Sequence, residues 1–91
     1  MGRHFIVRWK SVSNPPKQKG QEIESELLKV ATFDGDKLVR IDEARYNFPQ
    51  GRFIYESDRY STDQYGTKFT ETHWMTYEAY WALLEALTRL N

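Results

Sequence analysis

The sequence predicts an α+β domain: a curved, four- or five-stranded antiparallel β-sheet, arranged as a meander, with one C-terminal α-helix packed on it. Three observations carry that prediction. Apolar and polar residues alternate in short runs between residues 3 and 75. Asp34-Gly35 and Phe48-Pro49-Gln50-Gly51 punctuate those runs with turn chemistry. After Thr76 the pattern changes to helical spacing. A chain of 91 residues buries roughly 60–65% of its unfolded surface, enough for one sheet and one helix. It is read as a single domain, 1–91, with a basic strand and loop over 1–20, the sheet over 27–75 and the helix over 76–90.

The first element is a half-buried strand over residues 3–12. Phe5, Val7 and Trp9 share one side, and His4, Arg8 and Lys10 with Ile6 take the other. SNPPKQKGQ (13–21) is a loop, because two prolines and a glycine prevent continued ladder bonding. EIESELL (22–28) is compatible with two readings. Ile23, Leu27 and Val30 have helical spacing, whereas Leu28, Val30 and Thr32 read by twos continue into Phe33. A strand from about Leu27 is favoured, and 22–26 stays open between helix and strand.

KVATFDGDKLVRI is the clearest hairpin, since Asp34-Gly35 supplies the positive backbone angles of a tight primed turn. In the strand that follows, Val39 and Ile41 share a parity that Ala44, Tyr46 and Phe48 do not. A bulge near Asp42-Glu43 would reconcile them and curve the sheet. FPQG makes the next turn, RFIYES (52–57) the next strand, SDRYSTDQYGT (57–67) a polar connection and KFTETHWM (68–75) the last strand.

Thr76 is placed to cap the helix, with Glu78 in the first turn and Arg89 in the last complementing its dipole. At about 100° per residue, Glu78, Ala82, Glu85 and Arg89 form a solvent stripe, opposite Tyr80, Leu83, Leu84 and Leu87. Tyr77 and Trp81 fall on a flank between the stripes. They are not needed to seat the helix, which marks them as candidates for a dimer or second interface, where such residues are favoured anchors.

Net charge is zero but unevenly spread. Residues 1–20 hold Arg3, Arg8, Lys10, Lys17 and Lys19 with no acid; the rest holds the other eight bases and all thirteen acids. Such asymmetry marks an arm for nucleic acid or an acidic partner, or two surfaces that pair within one fold or across a dimer. The chain has no cysteine, so disulfides and thiolate metal sites are excluded and a cytoplasmic location is expected. No apolar run reaches the roughly 18–20 residues of a membrane span. Arginines interrupt the apolar run of the N-terminus, MGRHFIVRWK, so it does not read as a signal peptide.

Catalysis has little to work with. His4 and His73 are the only histidines, and neither has a nucleophile or metal spacing. Glu71 and His73 could share a strand face, and a surface histidine is the ordinary reading of that pair. The DGD turn lacks the ligand number of a calcium loop. No catalytic residue, metal site or cofactor is assigned, and an enzyme is not expected.

Binding fits better. Between 45 and 69 the chain interleaves Arg45, Tyr46, Phe48, Arg52, Phe53, Tyr55, Arg59, Tyr60, Tyr65, Lys68 and Phe69. Aromatics spaced with cations on a sheet suit single-stranded nucleic acid, since bases stack and phosphates pair. Half of these rings must face the helix, however, and Asp42, Glu43, Glu56, Asp58, Asp63 and Glu71 in the same region repel phosphate.

The junction Met75-Thr76-Tyr77-Glu78-Ala79-Tyr80-Trp81-Ala82-Leu83 resembles the strand-to-helix junction of the positive transcriptional coactivator (Whirly-like) single-stranded-DNA binders. Thr76, Glu78, Tyr80 and Leu83 fall in register with that family's pattern. Tyr77 stands where the family has proline, and Glu71 about where it has a lysine ahead of a glycine. The resemblance covers about the last third of the chain. It implies a curved four-stranded sheet, a helix-mediated dimer and binding of unwound DNA.

The expectation is a small non-enzymatic protein-binding domain, of the kind that serves as a phage-type or regulatory inhibitor of a nucleic-acid-processing or defence protein. Its partner face is expected at Glu56, Asp58, Tyr60, Asp63 and Tyr65, with Tyr77 and Trp81 as the dimer or second interface. The alternative is a dimeric single-stranded nucleic-acid binder using Arg8, Lys10, Lys17 and Lys19.

Overall fold

The computed structural model describes residues 8–57 and 71–89. Its elements are β1 (Lys10–Ser11), β2 (Leu28–Asp34), β3 (Lys37–Asn47), β4 (Arg52–Tyr55), β5 (His73–Thr76) and α1 (Tyr77–Arg89). Every strand pairing is antiparallel, in the spatial order β1-β5-β2-β3-β4. The sheet curls into a half-barrel with α1 packed on it, the α+β arrangement that the sequence predicts. The meander proper is β2-β3-β4. β5 then returns to the other edge of β2 and stands between it and β1.

The β2–β3 hairpin closes on Gly35-Asp36, with Asp34 paired to Lys37. Gly35 has φ 64°, and no residue other than glycine takes a positive φ among the described residues. This is the primed turn with glycine first, so the loop pair is Gly35-Asp36 rather than Asp34-Gly35. The FPQG turn is held by Asn47, whose carbonyl accepts the Gly51 N–H at 2.8 Å and whose Oδ1 accepts the Gln50 N–H at 2.9 Å.

The bulge expected near Asp42-Glu43 lies elsewhere. Thr32 pairs with Arg40 and Phe33 with Leu38, which leaves Val39 as the extra residue. From Arg40 onward β3 alternates regularly. The change of parity that suggested a later bulge has a different cause: the sheet is buried on both faces. Trp9, Ala31, Phe33, Met75 and Leu83 form one core against the helix, with Ile41, Tyr80 and Leu87 packed on it. Leu28, Val30, Ala44, Phe53, Tyr55 and Trp74, with Val12 and Tyr46, form a second core on the opposite face. Ile41 serves the first and Ala44 and Tyr46 the second, so no inserted residue is needed between them.

Boundaries also differ from the pattern. Of the expected strand over 3–12, only Lys10–Ser11 pairs, with Trp74 and His73; residues 3–7 lie outside the described residues. β4 stops at Tyr55 and does not run on through Glu56 and Ser57. One more pair in register would set Glu56 opposite Glu43, and like charges directly across a ladder are destabilising. Arg45 instead takes Glu56 at 3.3 Å. β5 begins at His73, later than expected, and 68–70 lie outside the described residues. Residues 23–25 extend the ladder beside β3: Ser25 N–H donates to the Tyr46 carbonyl, Phe48 N–H to the Ile23 carbonyl, and Glu24 bridges Asn47. Residues 22–26 are therefore neither helix nor a regular strand: they run extended beside β3 with a single isolated bridge at Glu24.

The helix follows its pattern closely. Thr76 Oγ1 accepts the Ala79 N–H at 3.1 Å, satisfying a first-turn amide. Leu83 is buried, Tyr80, Leu84 and Leu87 are half-buried, and Glu78, Ala82, Glu85 and Arg89 are exposed. Arg89 Nη2 donates to Glu85 Oε1 at 2.6 Å, one turn back along that outer stripe.

Candidate binding surfaces

Two surfaces stand out, one on each face of the sheet. On the face away from α1, the loop after β1 doubles back over the second core. The Trp74 indole N–H donates to the Asn14 carbonyl at 3.0 Å, which pins this loop to β5. Val12 N–H donates to the Thr72 carbonyl at 3.0 Å and holds the loop's start. Its far end is fixed where Ser25 Oγ accepts the Tyr46 N–H at 2.9 Å. Between these pins Pro15 and Pro16 keep the backbone stiff.

Under the loop lies a groove of about 590 Å³, walled by Pro15, Pro16, Phe48 and Trp74, with Lys10, Lys17 and Lys19 and the carboxylates of Glu22 and Glu26 around it. Lys10 Nζ sits 5.0 Å above the Trp74 ring, so the indole is already covered by a cation. Glu22 Oε1 accepts the Lys19 backbone N–H at 2.7 Å, which holds its carboxyl below the usual carboxylate range. Three of the four basic residues singled out from the sequence thus meet at one groove. The fourth, Arg8, is exposed and is not part of its lining. Phe48, Trp74, Glu22 and Glu26 were not legible as their neighbours. Only the insertion of β5 between β1 and β2 brings Trp74 beside Lys10.

The second surface is the outer flank of α1. Trp81 is 60% exposed. Its ring meets Tyr80 at 5.9 Å, Tyr80 meets Trp9 at 5.9 Å, and Trp9 meets Phe33 at 6.1 Å. Each contact is edge-to-face, the favoured geometry for such rings. An indole in solvent is thereby braced through a line of aromatics into the core.

Tyr77, expected beside Trp81, does something else. Lys29 Nζ lies 5.1 Å from both the Tyr77 and Tyr80 rings and 3.3 Å from Glu43 Oε1, with only 15% of the lysine side chain exposed. The Tyr77 hydroxyl faces Glu43 and, with Lys29, holds that carboxyl below its usual range. Burial, then Glu43, pushes the Tyr77 phenol up to about 12. Tyr77 is a clasp between helix and sheet, and Trp81 alone is the outward ring of the pair.

Of the partner face expected over 56–65, Asp58, Tyr60, Asp63 and Tyr65 lie outside the described residues, and Glu56 pairs with Arg45. Glu71 and His73 are not joined. Glu71 Oε2 accepts the Tyr55 hydroxyl at 2.8 Å. His73 packs edge-on to Phe33 with its Nδ1 2.7 Å from Thr72 Oγ1, and burial lowers its pKa below the ordinary histidine value. Among the described residues no cluster of His, Asp and Glu could hold a metal ion, and no helix is long and apolar enough to cross a membrane. Comparison with protein-family models, curated proteins and solved structures returns no match.

Proposed function

We propose that this chain is a non-catalytic protein-binding domain that grips its partner through the outer flank of α1, with Trp81 as the anchor. The observation that supports this is the 60% exposure of a braced indole on a helix that Leu83, Tyr80 and Leu87 already seat. Tryptophan is the residue most enriched among binding hot spots, and a ring held in place loses little freedom on binding. Glu78 is exposed within one turn of Trp81, while Glu85 is already paired with Arg89. The fitting partner therefore offers an apolar pocket for the indole with a basic side chain on the Glu78 side. Occupying such a pocket is how a regulatory inhibitor acts by occlusion.

Comparative affinity purification tests the reading, using the native chain and Trp81→Ala as baits in the native host. A specific protein retained by the native chain and lost with the variant, both folded by circular dichroism, is the expected result. Equal recovery on both baits rejects Trp81 as the anchor. Sedimentation equilibrium of both chains separates a foreign partner from a second copy: self-association abolished by the substitution identifies the partner as the chain itself.

A further inference from the structure

We propose that the groove beneath the Pro15-Pro16 loop binds a nucleotide, a compound joining phosphate, a hydroxyl-bearing sugar and a flat base. It lies on the opposite face of the sheet from Trp81 and is independent of the protein-binding reading. A volume of about 590 Å³ falls within the range of small-ligand pockets. Its walls are fixed by the Trp74–Asn14 and Tyr46–Ser25 hydrogen bonds, so the site is preformed.

Charge on the lining sets the chemistry. Lys29, Arg40, Arg45 and Arg89 each have a carboxylate partner. Among the described residues no carboxylate lies within ion-pair distance of the ammonium groups of Lys10, Lys17 or Lys19, and all three line this groove. Ammonium groups with no direct carboxylate contact around a concave site attract an anion, and Lys19 also adds its charge to what keeps the Glu22 carboxyl low. Two carboxylates in the same lining argue against a ligand that is anionic throughout. The exposed carboxylates of Glu22 and Glu26 can accept hydrogen bonds from sugar hydroxyls and a base amine. Phe48 and the proline pair provide the apolar wall for a ring.

The same features disfavour other occupants. Inorganic phosphate leaves both carboxylates and Phe48 unused. An acidic peptide meets Glu22 and Glu26 with like charge. A long single strand needs a row of open aromatic faces, whereas Trp74 is 6% exposed beneath Lys10.

Titration of the full chain with adenosine 5′-monophosphate, followed by amide NMR shifts and calorimetry, tests the proposal. Shifts are expected at Lys17, Lys19, Glu26 and Phe48, with affinity falling as salt rises. Inorganic phosphate and adenosine are each expected to bind at least about tenfold more weakly than the nucleotide. The Lys17→Ala/Lys19→Ala double variant should lose about tenfold or more, and Lys37→Ala nothing. These side chains are exposed, so the variants should fold; competition among ligands on the native chain gives the same answer without them. Absence of shifts at millimolar nucleotide overturns the proposal. So do equal affinities for phosphate and nucleotide, tighter binding of tetraglutamate or a thymidine oligonucleotide, or full affinity in the double variant.

Discussion

Tyr55 keeps its ring in the second core and donates its hydroxyl to Glu71 Oε2 at 2.8 Å. Burial first, then the bond to Glu71, raises this phenol well above its ordinary value. Because the folded value lies above the unfolded one of about 10, the linked stability is fully present below about pH 10. It is lost as pH rises beyond that toward the folded value. Tyr77, pushed to about 12, adds a loss of the same sign over the same window. Replacing Tyr55 by phenylalanine leaves the half-buried Glu71 carboxylate without this donor, and hydrogen bonds to charged groups contribute about 1.5–3 kcal/mol. Urea unfolding at neutral pH should show a loss of that order for Tyr55→Phe. The same variant should show a shallower decline in stability above about pH 10. A stability equal to the native chain, with an unchanged alkaline limb, would remove the hydroxyl from any structural role.

Among the elements, α1 depends on its first turn. Thr76→Ala deletes the acceptor of the Ala79 N–H and should cost about 1 kcal/mol, read from the denaturation midpoint, with a valine variant costing at least as much. The cap, the two hairpin turns and the apolar stripe of the helix were all legible in the sequence because each is written in residues within a few positions of one another. Strand order was not. Placing β5 between β1 and β2 depends on contacts such as Lys10 with Trp74, and no local pattern encodes a separation of that length. The misplaced bulge has a related origin. Alternation in β3 is read correctly only if both parities are apolar for good reason, and the second core that supplies the reason is assembled from four strands and the returning loop. The surfaces follow the same division. Trp81 is outward because of its angle on its own helix, which a helical projection shows. Tyr77 is drawn inward by Lys29 and Glu43 from two other strands, which a projection of one helix cannot show. Lys10, Lys17 and Lys19 stood out by charge, while the groove that unites them required the fold.

The molecule as a whole is a single curled sheet with an apolar layer on each side, and the two layers share their backbone. In β2, Leu28 and Val30 point into one core and Ala31 and Phe33 into the other; in β5, Trp74 and Met75 divide likewise. Neither layer can lose its packing without releasing strands that the other requires, so a chain of this size should unfold in one step. Leu83→Ala empties the helix side and Phe53→Ala the other side. Core truncations of these kinds cost about 2–5 and 3–5 kcal/mol, large fractions of the roughly 5–10 kcal/mol usual for such a domain. The expected outcome is that far-ultraviolet circular dichroism, which follows α1, and tryptophan fluorescence, which senses the helix side through Trp9 and Trp81 and the other layer through Trp74, give coincident urea transitions. Coincidence should persist in both variants while the midpoints fall. A fluorescence transition that splits in two in Leu83→Ala, its first step coincident with loss of the helix signal, would mean that the layers are separable. The groove on one face could then persist without the Trp81 surface on the other.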